Sequence, residues 1–335
     1  MLTTDSPRRS ILLNLARVRE IGLVVFIALL VAGVSLRSPY FLTLENFRDI
    51  LLNISILAIV ALAQTMVIIT RGIDLSVGSM IGLVAMMVSF MVKATPTLSP
   101  ILAVLLGMAL GCALGSFNGL IVAVAGVPPI IATLGTMSIF RGAVFLYSQG
   151  TWINAFEMSN SFKLLAKGTM LGLPNLVVFA LVVSGIVYNF LNHTCTGRDI
   201  YAIGSNPEAA RVAGIRVPRT TFIVYVFSGL LCGLAGVLWS SRFEAAQTNT
   251  ALGFELQTVA ASVVGGVNIL GGSGSVAGVL LGTLLLGIVN NALTLVRISP
   301  FWQLAVQGAL ILLAVIIDSA ILHRLQQTLT LRRES

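Results

Sequence analysis

Most of the chain consists of long apolar runs separated by short polar intervals. A helix needs roughly 20 apolar residues to cross a bilayer core. By that rule about ten segments qualify: 21–36, 49–70, 74–92, 100–125, 129–148, 171–191, 220–240, 256–270, 275–296 and 301–321. The first and eighth are short. The eighth is cut by the glycines of VVGGVNILGGSGS, which marks a broken or partly inserted helix. The pattern predicts an all-α polytopic membrane protein: one transmembrane domain over 21–321, with terminal segments 1–20 and 322–335 outside the bilayer.

Composition agrees. Of 335 residues, 57% are hydrophobic and only 10% charged, against about a quarter charged in soluble domains. The net charge of +8 is read as topology control. With the N-terminus in the cytoplasm, ten spans place twelve Lys/Arg inside: four before residue 20, Arg71, four in the 192–219 loop and three in the tail. Seven fall outside: Arg37, Arg48, Lys93, Lys163, Lys167, Arg242 and Arg297. The excess puts both termini and the 192–219 loop in the cytoplasm, with an uncleaved first helix. The basic residues form no soluble module, so no nucleic-acid partner is expected. Cys112, Cys195, Cys232, His193 and His323 are scattered, so no metal site is expected either.

Glycines recur every fourth residue at Gly107, Gly111, Gly115 and Gly119, at Gly274, Gly278 and Gly282, and at Gly229 and Gly233. Such rows let membrane helices approach closely, within a bundle or between subunits. A faint repeat accompanies them. GIDL at 72–75 returns as GFEL at 253–256, on the opposite side in the ten-span threading. Opposite copies are the mark of inverted-repeat transporters.

Polar groups at membrane depth are candidates for a pathway. Asp74 opens the third span, followed by Ser76. It can cap that helix or line a path. Arg141 lies within the fifth span, able to snorkel or to pair with a carboxylate such as Asp74. Thr133 and Thr136 follow Pro128-Pro129, Asn290 and Asn291 occupy the ninth span, and Gln303 and Gln307 the tenth. These suit a hydroxylated solute or hydrogen bonding between helices.

The chain has no Gly-x-x-x-x-Gly-Lys-[Ser/Thr] phosphate loop and no hydrolytic constellation. An ATPase or other enzyme on this chain is therefore not expected. Strings of buried Asp, Glu or His, which a proton-driven carrier uses, are also missing. An ion-gradient-driven secondary sugar transporter remains the rival class.

One polar island interrupts the second half: TGRDIYAIGSNPEAARVAGIRVPR, residues 196–219. Asn206 is a good N-cap, Pro207 suits the first helical position and Glu208 the first turn. Ala209 and Ala210 favour helix, and Gly214 can end it in a left-handed conformation. The island predicts one short capped helix outside the membrane, suited to docking a soluble partner.

Here the chain resembles a family. GSNPEAARVAG, from Gly204, carries the first half of the Glu-Ala-Ala-x-x-x-Gly signature of ATP-binding-cassette importer permeases. TRGIDLSVGS (70–79), ATLGTMSIFRG (132–142), VVGGVNILGGSGSVAG (263–278) and LLGIVNNAL (285–293) look like the ribose-type monosaccharide permeases, over about residues 20 to 320. Permeases for ribose, related pentoses, rhamnose and autoinducer-2 share these blocks. The resemblance implies the importer permease fold with two inverted halves in a bacterial inner membrane. It also implies a second permease subunit (identical or sister), a cytoplasmic ATPase that holds ATP and magnesium and binds the 204–214 helix, and a periplasmic or lipid-anchored sugar-binding protein. Membrane lipid surrounds the bundle.

Overall fold

The computed structural model describes residues 7–297 except 171, with side chains from residue 20 onward, and isolated positions from 299 to 316. Its helices are α1 (Pro7–Arg37), α2 (Leu44–Ile69), α3 (Val77–Ala94), α4 (Pro100–Gly119), α5 (Pro129–Ser148), α6 (Asn160–Lys167), α7 (Asn175–His193), α8 (Cys195–Ser205), α9 (Pro207–Val212), α10 (Val217–Phe243), α11 (Phe254–Val264) and α12 (Val276–Leu295). Eight are long and apolar enough to cross a membrane: α1 from Glu20, α2, α3, α4 with its π-helical continuation to Val124, α5, α7, α10 and α12. The eighth predicted span, 256–270, is α11, with only 11 residues. The tenth, 301–321, falls mostly outside the described residues, as do Gln303, Gln307 and the 322–335 tail.

Local chemistry sets the helix ends. Thr43 caps α2 by accepting from the Asn46 amide, and Pro100 and Pro129 open α4 and α5, where a missing N–H costs nothing. Large apolar side chains such as Leu102, Leu105, Leu146, Leu181 and Ile186 are exposed. Facing hydrocarbon, these need no cover. The centre is built from α2, α3 and α10, buried along most of their length.

Glycine fixes the tightest crossing. Gly107, Gly111 and Gly115 of α4 lie directly against Gly229 and Gly233 of α10, backbone to backbone, and Gly119 meets Phe222. Lipid offers no hydrophobic drive for helix association, so close packing of this kind supplies it. On α12, Gly278 and Gly282 meet Gly265 and Ala261 at the end of α11, and Gly274 packs on Val267 just before α12.

The segment joining α10 to α11 is not helical and does not stay at the surface. Gly78 in the first turn of α3 packs on the carbonyl of Ala251 and the carboxylate of Glu255. One turn on, Gly82 lies beside the Thr250 carbonyl and the Arg141 guanidinium. From there α11 runs about 16 Å, half of a ~30 Å bilayer core. It runs toward the end at which α3 begins, where Gly272 donates to Ile69 O at 2.9 Å. The GIDL and GFEL segments thus start two helices of opposite direction whose N-terminal turns touch.

Candidate functional site

At one end of the bundle the 192–219 loop forms two helices rather than the single short helix predicted. The chain breaks at Asn206, which closes α8 and opens α9. Its Oδ1 accepts from Glu208 N at 3.0 Å and Ala209 N at 3.1 Å. The start of α8 is capped by Thr194, which accepts from Gly197 N at 3.0 Å. Gly214, with φ 84°, ends α9: Ile215 N donates to Ala210 O at 3.0 Å, the bond pattern that favours glycine after a helix. Ala210 points inward, while Glu208, Ala209, Arg211 and Val212 face solvent. Glu208 and Arg211 pair at 2.9 Å. The result is a rigid six-residue peg with an exposed tip.

The peg rests on a junction of three segments. Arg71, one residue beyond Thr70 at the end of α2, adopts φ 67°. Its Nε donates to Gly204 O at 2.7 Å and its Nη2 to Ser205 O at 2.8 Å. These are carbonyls at the C-terminus of α8, which lack helical partners. Gly204 and Gly272 pack face to face beside Ile69. Tyr201 Oη donates to Gly274 O at 3.0 Å. Arg71, counted in the sequence only as a topology residue, is thus a structural tie. Its partners lie 133 and 134 residues away, beyond any local pattern.

The pathway candidates divide into separate groups. Asp74 is fully buried, and its Oδ1 accepts from Ser76 N at 2.9 Å and Ser76 Oγ at 2.6 Å. Asn118 Nδ2 donates to Ser76 Oγ at 2.8 Å. The Gln64 carboxamide, with its oxygen toward the Asp74 amide and its nitrogen toward the Asp74 carbonyl, adds two contacts of 3.1 Å. Thr133 Oγ1 donates to Ile73 O at 3.1 Å, tying α5 to the same loop, and Thr136 is buried one turn on.

Arg141 does not pair with Asp74. It lies eight residues beyond Thr133, about 12 Å along α5. Its Nη1 donates to Thr248 O at 3.1 Å and Thr250 O at 2.8 Å. A cation at that depth needs partners, and the non-helical 244–253 segment needs donors for its carbonyls. Each supplies the other. Glu255, which the sequence reading left off its list of pathway candidates, stands nearby with its charge toward Arg141. The GFEL match was the signal that could have found it.

Asn290 and Asn291 belong to the opposite half. Asn291 and Asn46 exchange amide hydrogen bonds at 2.7 and 3.1 Å, joining α12 to the start of α2. Both Asn290 and Asn291 line a cavity of about 730 Å³ between α2, α10, α11 and α12. Its rim carries Asp49, Asn53 and Arg242. Its wall carries Trp239, and its floor is the 249–254 stretch leading into α11. Arg242 Nη2 donates to Asn53 Oδ1 at 2.6 Å.

Comparison with known proteins follows this geometry. A family model described as "Branched-chain amino acid transport system / permease component" matches residues 46–315. The ribose import permease protein of Bacillus subtilis is 37% identical over 300 residues, covering 90% of this chain and 92% of that protein. The ribose import permease protein of Escherichia coli is 39% identical over 297 residues, covering 88% and 92%. The galactose/methyl galactoside import permease protein of Escherichia coli is 35% identical over 322 residues, covering 91% and 95%. No solved structure matches. A family model spanning most of the chain, with relatives similar from end to end, leads to one assignment: the chain belongs to the family of transport-system permease components described by that model.

Proposed function

We propose that this chain is the membrane-spanning permease subunit of an ATP-binding-cassette importer that carries a monosaccharide into the cytoplasm. The carrying observation is similarity across about nine-tenths of both chains to permeases named for ribose and galactose import. The family description names branched-chain amino acids. A sugar is favoured over those because the cavity is lined by amides and aromatic rings, among them Asn53, Asn249, Gln257 and Trp239. Amides both donate and accept, as hydroxyls do.

The subunit makes and breaks no bonds. It sits in a bacterial inner membrane with both termini and the α8–α9 loop in the cytoplasm. A cytoplasmic ATPase, holding ATP and magnesium, grips α9. A second permease copy or sister completes the pore. A periplasmic or lipid-anchored binding protein delivers sugar at the opposite face. ATP binding moves the α9 peg, and the Arg71 junction passes that motion to the loop before α3 and to the glycine turn before α12. The two states then differ in which side of the cavity is open, as coupled transport requires.

The test is reconstitution in proteoliposomes with the ATPase and binding protein, using labelled D-ribose, D-galactose and D-allose. Uptake of one of them should require ATP and survive collapse of ion gradients. Uptake that persists without the ATPase and stops when gradients are collapsed would establish the secondary transporter instead.

A further inference from the structure

The cavity of about 730 Å³ is a half-open cleft between the helices. It falls within the ~300–1,000 Å³ of small-molecule sites. Its chemistry is mixed in a particular way. Among the described residues, the side-chain amides of Asn249 and Gln257 have no hydrogen-bond partner, though both line the cavity. The same cavity is lined by Trp239, with Phe243 at 5.0 Å and Phe254 at 5.1 Å between ring centroids. Unpaired amides and a cluster of three aromatic rings in one cavity offer hydrogen bonds to hydroxyls and an apolar surface to C–H groups.

We propose that this cavity is a low-affinity monosaccharide-binding vestibule on the outer side of the permease. The proposal rests on the importer reading and adds the place where the sugar first leaves the binding protein. Asn249 and Gln257 contact its hydroxyls, and Trp239 packs on one face of the ring. The position fits: α2 and α12 place Asp49, Asn53 and Asn290 at the end of the bundle remote from the α8–α9 loop. Low affinity fits too, because a transported solute must leave as readily as it enters.

The floor gives the vestibule its purpose. Residues 249–254 form it, and the carbonyls of Thr248 and Thr250 in the same segment are held by Arg141 on α5. A sugar in the cavity therefore rests on a non-helical stretch that reaches the first turns of α3. That stretch has to shift for the sugar to pass.

The experiment uses the complete importer in proteoliposomes and a Leu252→Cys variant, with a membrane-impermeant maleimide added outside. Leu252 lines the cavity and is exposed, and its side chain takes no part in holding the sugar. Among the described residues Cys112 is half-buried, Cys232 buried and Cys195 lies in the α8–α9 loop, so none of these competes from the outside. The introduced thiol should label from the outside. The imported D-sugar, at millimolar concentration, should slow labelling at least about threefold, and its L-enantiomer should not. An Asn160→Cys control on exposed α6 should label equally with or without sugar. A Gln257→Ala change added to Leu252→Cys should raise the sugar concentration needed for protection about tenfold. The proposal is overturned if the thiol does not label from outside, if no sugar protects it, or if D- and L-forms protect equally. Failure of the unaltered importer to take up any sugar with its ATPase present would instead sink the importer reading.

Discussion

Gly204 sits against Ile69 so closely that a methyl group on Gly204 would overlap the Ile69 carbonyl oxygen. The same methyl would strike the backbone of Gly272. The last turn of α8, the end of α2 and the glycine turn before α12 therefore meet with no side chain between them. Arg71 reinforces the joint through the Gly204 and Ser205 carbonyls. Motion of the α9 peg cannot be absorbed by side-chain slack at this point.

Gly204→Ala should force these segments apart. Overpacking of this kind costs about 1–3 kcal/mol, enough to open the joint without unfolding the bundle. The expected outcome is several-fold lower uptake while the partner ATPase still co-purifies and hydrolyses ATP. Equal loss of uptake and of ATPase binding would mean that the loop itself had collapsed.

Glu208→Lys tests the tip instead of the joint. Glu208 is exposed and its carboxylate pairs with Arg211, and an exposed pair of this kind contributes about 1 kcal/mol at most. Thermal stability in detergent should therefore hardly move. Reversing the charge on the docking face should nonetheless weaken ATPase binding by about tenfold, a figure on the scale of losing one charge-assisted contact at an interface. Co-purification over a salt series measures this. Unchanged binding would remove α9 from the ATPase contact.

What the sequence discloses and what it hides divide along the same line. The capped peg is legible because Asn206, Pro207 and Gly214 act on their own neighbours. The glycine rows are legible because every fourth residue shares a helix face. Arg71, Arg141 and Asn46 are opaque for the opposite reason: each bonds a backbone or amide more than a hundred residues away. The half-length of α11 is legible as well: the glycines of VVGGVNILGGSGS mark the eighth segment as broken, and α11 stops at Val264, next to the first of them. The polar loop splits at Asn206-Pro207, the helix start that the sequence predicts; what the sequence reading lacked was α8 before it, capped by Thr194.

The surroundings of two glycines, one at the α4–α10 crossing and one on α7, predict substitutions of opposite sign. Gly111→Leu has no room: even a Cβ would overlap the Gly229 carbonyl and press on Gly233. It should lower the melting temperature sharply, by more than the ~1–3 kcal/mol of ordinary overpacking, and reduce the yield of folded protein. Gly185 on α7 has no heavy atom within 4 Å of the same position. There Gly185→Ala should gain up to about 1 kcal/mol from helix propensity alone. Thermal unfolding of the two variants in the same detergent checks both. A mild effect at Gly111 would show that the helices do not cross at backbone contact.

Acid should loosen the end opposite the α8–α9 loop before the core. Glu157 pairs with Lys93 at 2.6 Å, and Glu244 pairs with Lys167 and, at 3.8 Å, with Lys163. The bond to Lys93 holds the Glu157 carboxyl below its usual value, and the bond to Lys167 does the same for Glu244. A depressed folded-state value means that the stabilisation is fully present above the ordinary carboxylate range near 4.3. It is lost as pH falls through the lower, folded-state values. Melting temperature in nanodiscs should therefore be flat from about pH 7 to 5 and fall below about pH 4. Both side chains are only partly buried and their lysine partners reach water, so each contribution is small and screened by salt. A Glu157→Gln, Glu244→Gln double variant should start slightly lower and lose part of that acid limb. High salt should shrink the difference between the variant and the unaltered chain. An acid limb identical in both proteins would assign the acid sensitivity to other groups.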